Sequence, residues 1–129
     1  MANRELTVIS AAGYFHSNGV LELSQLDTAT QATEIIKLTD KAAKQIVKGA
    51  LFAITVAGIV TNVVIRLQGS LDKTNWFHLD ATSVDTTITA DGTYSLIYDG
   101  VGDISYIRMY FVSESGGTAS TLDTKVKFF

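Results

Sequence analysis

From Leu122 to Phe128 uncharged and charged positions alternate: Leu122, Thr124, Val126 and Phe128 fall on one side of an extended chain, Asp123, Lys125 and Lys127 on the other. A period of two is the spacing of a strand, so one face is expected on a core and the other in water. Upstream, Ser105, Ile107, Met109 and Phe111 alternate with Tyr106, Arg108, Tyr110 and Val112. Most side chains in both sets are large, which predicts a strand covered on both faces and central in its sheet.

Turn chemistry divides the rest of the C-terminal half. Ser113-Glu114-Ser115-Gly116-Gly117 ends on two glycines. Both can take positive φ, so Gly116 and Gly117 predict a hairpin loop. Asp91-Gly92 is a preferred pair for a type I′ turn and predicts a second hairpin, joining residues 85–90 to 93–98. A third is predicted where Asp72, Lys73, Thr74 and Asn75 separate residues 62–69 from 76–80. The run Ser70-Leu71-Asp72-Lys73-Thr74-Asn75-Trp76 resembles the Asp-box hairpin of sialidases and propeller repeats, one residue short. Asp72 is expected to tie that turn by accepting backbone N–H groups, with Trp76 packed nearby.

The N-terminal half is less regular. Residues 6–9, 13–16, 20–23 and 33–38 read as short strands, and residues 40–48 fit either a two-turn helix or strands with a polar loop, the latter being preferred. The most apolar stretch, residues 50–65, carries Thr55, Thr61 and Asn62 and is rich in β-branched types. A spanning helix needs about 20 predominantly apolar residues, so two buried strands with a turn are expected and a membrane partner is not. Short strands punctuated by turns about every eight to twelve residues indicate an all-β chain: an antiparallel β-sandwich, jelly-roll-like, with a hairpin-rich C-terminal half. Residues 1–129 are read as a single domain. Residues 1–17 are its first strand or an N-terminal arm that adds to a neighbour through Leu6, Val8, Tyr14 and Phe15.

Composition narrows the function. No cysteine is present, which removes disulfides, thiolate metal sites and cysteine nucleophiles together. A net charge of −3 offers no basic footprint for nucleic acid. Glu5, Ser10 and Ser17 interrupt any leader-like apolar run, so a signal peptide is not expected. Proline is absent as well, and since edge strands often use it for protection, the edges are expected to be covered by a partner subunit.

Catalytic patterns fail one by one. Only His16 and His78 could serve a nucleophile as base, and no serine lies in a G-x-S-x-G elbow. Gly100-Val101-Gly102 lacks the third glycine of a phosphate cradle, and no pair among the 13 acidic residues stands out for glycosidase chemistry. The chain is expected to be no enzyme and to need no cofactor or metal. The best candidate site is Trp76, His78 and Asp80, which share one face of an extended segment, while Phe77 and Leu79 are expected in the core. An aromatic ring beside polar groups suits a sugar or a subunit contact; a lone His-x-Asp supplies too few ligands for a metal.

Three elements carry a family resemblance across residues 63–128: R-L-x-G-S-L-D-x-x-N-W from Arg66 to Trp76, A-D-G-T-Y from Ala90 to Tyr94, and Tyr106-Ile107-Arg108 leading into V-S-E-S-G-G-T. This half resembles small structural proteins of tailed-bacteriophage virions, including head decoration and tail-associated β modules. The resemblance implies a jelly-roll-like sandwich in a phage particle, with the major capsid protein or other virion proteins as partners, homo-oligomers and a location in the virion. It implies no catalytic residues. The competing expectation is a carbohydrate-binding module using Trp76, Tyr94, Tyr98, Tyr106 and Tyr110.

Overall fold

The computed structural model describes residues 5–7, 21–22, 26, 32–38, 49–79, 85–98, 104–117 and 119–128. Among these residues there are ten strands and no helix: β1 (Glu5–Thr7), β2 (Leu21–Glu22), β3 (Ile35–Lys37), β4 (Ala50–Ala57), β5 (Asn62–Ser70), β6 (Trp76–His78), β7 (Thr86–Ile88), β8 (Gly92–Tyr98), β9 (Tyr106–Ser115) and β10 (Thr121–Phe128). One sheet has the order β1-β3-β9-β5-β6, with β7 also on β5; the other has the order β2-β10-β4-β8. Every pairing is antiparallel except β1 with β3. The fold is the all-β antiparallel sandwich that the patterning indicates.

Period-two alternation builds the core. Ala50, Phe52, Ile54 and Val56 of β4 lie opposite Phe128, Val126, Thr124 and Leu122 of β10, all buried. From the facing sheet come Val63, Ile65 and Leu67 of β5 and Ile107, Met109 and Phe111 of β9, and the two sets form one hydrophobic cluster. Full burial of each large apolar side chain contributes roughly 1.5–3 kcal/mol, opposed by the entropy of ordering the chain. As its two large faces predict, β9 is central, between β3 and β5. Its partner register slips between Val64 and Ile65: Ile65 faces Phe111 and Val64 faces Ser113, leaving Val112 as the extra residue of a β-bulge.

The connections differ from expectation. Among the described residues only the turn at residues 71–75 closes a hairpin, β5 onto β6, with Ser70 opposite Trp76. At Asp91-Gly92 the chain leaves β7, paired to β5, and enters β8, paired to β4 in the other sheet. At Gly116-Gly117 it likewise passes from β9 to β10, across the sandwich. Both are arches between sheets, because a tight glycine-bearing turn reverses the chain without dictating which sheet the next strand joins. Residues 50–65 do form two strands and a turn, but β4 and β5 also lie in opposite sheets. The described part of the C-terminal half is therefore rich in arches and holds one hairpin.

Side chains lock two arches together. Asp91 accepts the backbone N–H groups of Gly58 and Ile59 at 3.2 and 3.0 Å, fastening the β7–β8 arch to the β4–β5 arch. Gly58 has φ +78°, and a Cβ there would stand 2.7 Å from the Ala119 carbonyl oxygen. Of the expected N-terminal strands, β1, β2 and β3 fall within residues 6–9, 20–23 and 33–38 or beside them; residues 13–16 and 40–48 lie outside the described residues. No helix among the described residues is long and apolar enough to cross a membrane.

Candidate functional site: the outer face of the β5–β9 sheet

Inward positions of β5 alternate with Val64, Arg66, Gln68 and Ser70, which face away from the core. Register then sets rows across the outer face. Trp76, Ser70 and Tyr106 form one row, and His78, Gln68 and Arg108 the next. Arg66 stands opposite Tyr110 on β9. On its other flank β6 has ended and β7 has not begun, and Asp85, just ahead of β7, fills that gap.

There the Asp85 carboxylate takes two contacts from Arg66, Nε to Oδ1 at 2.7 Å and Nη2 to Oδ2 at 3.0 Å. His78 Nε2 approaches the same Oδ1 at 2.8 Å. The hydrogen bond from Arg66 holds the Asp85 carboxyl below the usual carboxylate range, with burial opposing; the same bond raises Arg66. His78 Nδ1 is buried with no hydrogen-bond partner among the described residues.

Arg108 is held differently. Its Nε donates to Gln68 Oε1 at 2.8 Å, and its guanidinium lies 3.9 Å from the centroid of the Trp76 ring and 5.6 Å from that of Tyr110. Gln68 is itself buried, so the fork is fixed in plane. Such stacking contributes about 0.5–2 kcal/mol. Burial lowers the Arg108 pKa from its ordinary value, and no carboxylate pairs with it among the described residues.

The neighbouring turn is closed by its own side chains. Asp72 Oδ1 accepts the N–H groups of Thr74 and Asn75 at 2.9 and 2.8 Å, and Oδ2 accepts the Asn75 amide at 2.8 Å. These bonds, with the Asn75 N–H first, drive the Asp72 carboxyl far below its ordinary range. Ser70 Oγ accepts the N–H groups of Asp72 and Lys73, and Lys73 takes the left-handed φ of 66°.

Of the candidate residues, Trp76 and His78 share this outer face, and Asp80 lies outside the described residues. Phe77, expected in the core, is 41% exposed. It sits opposite Gly69 on the inward side, but the space over Gly69 is taken by Leu79 and Ile104, and β6 is a margin strand with nothing beyond Phe77 among the described residues. Leu79 does pack against the core. Tyr94 and Tyr98 turn inward on β8, while Tyr106 and Tyr110 stand on the outer face.

Leu6 lies in β1, whose backbone pairs with β3 of the same chain; Val8, Tyr14 and Phe15 fall outside the described residues. Gly92 opens β8, and Gly116, at φ 86°, abuts Thr61 and Val60 as Gly117 abuts Val60. Sequence reasoning missed Arg66, Gln68, Asp85 and Arg108 as a group. The available signal was Arg108 set between two tyrosines in a strand with two large faces. Among the described residues no group of three or more His, Asp or Glu side chains could hold a metal ion. Compared with known proteins, the chain matches no family model, no curated protein and no solved structure.

Proposed function

We propose that the chain is a non-enzymatic structural protein of a tailed-bacteriophage virion, a decoration protein that binds the capsid shell lattice and stabilises it. The observation that carries this reading is the strand order. With β6 and β7 counted as one interrupted strand on β5, the orders β2-β10-β4-β8 and β3-β9-β5-β6/β7 fit a jelly roll, eight strands wound as two Greek keys. That architecture serves viral capsid domains, and the resemblance of residues 63–128 to small virion proteins points the same way.

A second feature supports assembly. β8 is the outermost strand of its sheet, runs through seven residues without a charge or a proline, and carries Ile97 at 62% exposure. Natural sheets blunt such an edge unless something covers it. Major capsid protein, another virion protein or a second copy would cover it here, and weak contacts repeated over a lattice add to firm attachment. The test is add-back of purified protein to particles lacking it, with occupancy counted by cryo-electron microscopy and shell stability followed on heating. Saturable density at regular shell sites with a higher disruption temperature supports the reading; density confined to the tail or vertex, or none, overturns it.

A further inference from the structure

We infer that the outer face around Arg108 is a binding site for an acidic saccharide, with the Arg108 guanidinium taking the sugar carboxylate and Trp76, Tyr106 and Tyr110 bordering the ring. This goes beyond an assembly role and stands without it.

The two arginines of this face make the comparison. Arg66 and Arg108 both rise from the outer side of neighbouring strands, two residues apart in register, yet only Arg66 is neutralised. Asp85 is spent on Arg66 and His78. Glu114, further along β9, accepts the Ser120 N–H instead. Arg108 therefore keeps a full positive charge that is partly withdrawn from water and has no acid beside it among the described residues. A charge in that position gains most from an incoming anion, since its desolvation is already complete in part.

Geometry selects the kind of anion. A guanidinium has five N–H donors, and the one on Nε is committed to Gln68. The four on the terminal nitrogens have no acceptor among the described residues, and they leave the fork in one plane, matching two oxygens of a carboxylate. Stacking on Trp76 and the bond to buried Gln68 hold that plane before any ligand arrives, which reduces the ordering cost of binding.

The surroundings favour a sugar over an acidic peptide. Trp76, Tyr106 and Tyr110 stand half-buried around Arg108, with one face of the Trp76 ring taken by the guanidinium and the tyrosines adding phenolic edges. A pyranose has a C–H face for such rings and hydroxyls for such edges. Lys73 lies at the same end of the sheet, 5.8 Å from the centroid of the Tyr106 ring. An apolar peptide side chain would want a pocket between strands, where this face instead carries Ser70 and Gln68, both buried and hydrogen-bonded.

Trp76 is the chain's single tryptophan, so its fluorescence reports on the site directly. The experiment titrates the full chain at low salt with a galacturonic acid tetrasaccharide, the neutral galactose tetrasaccharide and a glutamate tetrapeptide. The expected result is a saturable Trp76 signal with the uronate, about tenfold or more weaker with the neutral sugar. Arg108→Gln should weaken uronate binding by about tenfold or more, and Arg108→Lys should fall between, because an ammonium keeps the charge without the planar fork. Lys127→Gln, on the outer side of β10, should change nothing. Equal binding of acidic and neutral sugars, binding of the peptide without the uronate, or no saturable signal with the uronate would each overturn the proposal. The comparison of ligands on the unaltered chain decides the matter even where an Arg108 variant unfolds. Because it uses free protein and no particles, its failure is separate from failure of the decoration role.

Discussion

Arg66 and Asp85 meet as a two-pronged pair across the gap between β6 and β7, at 2.7 and 3.0 Å, with each side chain roughly a quarter exposed. Removing the acid leaves a partly buried guanidinium with one partner fewer. Asp85→Asn is expected to destabilise the chain by about 1 kcal/mol, more than an open surface pair would. Urea denaturation checks this: the midpoint should fall with the slope unchanged.

The same carboxylate sets a dependence on pH. Asp85 is depressed first by the hydrogen bond from Arg66, and Asp72 first by the N–H of Asn75. A carboxylate with a lowered folded pKa stabilises fully above its unfolded value of about 4, and that contribution disappears as the pH falls through the folded value. Stability should therefore be flat above about pH 5 as far as these two groups are concerned and should drop below about pH 4. Asp85→Asn should make the drop shallower, read from thermal midpoints taken across that range.

Gly58 offers a sharper steric test. Alanine there meets both a left-handed φ of +78° and a backbone oxygen at 2.7 Å, neither of which a rotamer change relieves. A loss of about 1–3 kcal/mol is expected for Gly58→Ala. Gly116 shares the left-handed φ, at +86°, but the atoms a Cβ would meet there belong to the side chains of Thr61 and Val60, both exposed and with room to shift, and not to the backbone. Chemical denaturation of Gly116→Ala should accordingly show the smaller loss.

Neighbouring strands should respond oppositely to substitution on opposite faces. Phe52 of β4 is fully buried, and Phe52→Ala should cost about 3–5 kcal/mol through lost burial and the cavity left behind. Ile97 of β8 is 62% exposed beside Leu51, and Ile97→Lys should stay within about 0.5 kcal/mol of the parent. Calorimetry gives both numbers. On the decoration reading the Ile97 variant should also load poorly onto shells while melting normally.

Much of this fold is legible in the sequence wherever alternation is strict. Leu122, Val126 and Phe128 do point into the core and Asp123 and Lys127 out of it, because side-chain direction in a strand is a local property. The turn at residues 71–75 is legible for the same reason: Asp72 finds its donors within three residues. Sheet membership is not local. Asp91-Gly92 and Gly116-Gly117 carry hairpin chemistry yet join opposite sheets, a choice made by partners such as β4 and β5, far off in the chain.

The outer face shows the same division. Alternation puts Trp76 and His78 on one side of their strand, but it does not say that Gln68 and Arg108, 40 residues apart, share a row with His78. Nor does it say whether an inward residue has anything above it. Phe77 has the pattern of a core residue and the position of a rim residue, since Leu79 and Ile104 already occupy the space over Gly69.

The gap that Arg66 and Asp85 fill has a further consequence for growth. On that side of β5 the backbone is parcelled into two three-residue stubs, β6 and β7, while β1 at the opposite margin spans three residues and β2 only two. Among the described residues β8 alone presents a long uninterrupted row of free backbone groups. Counted as a valence for strand addition, that row is the single long one that the described strands offer. Two copies joined through it would satisfy each other across a twofold axis and use up the row in doing so, so pairing through β8 closes on a dimer and does not run on into a fibre.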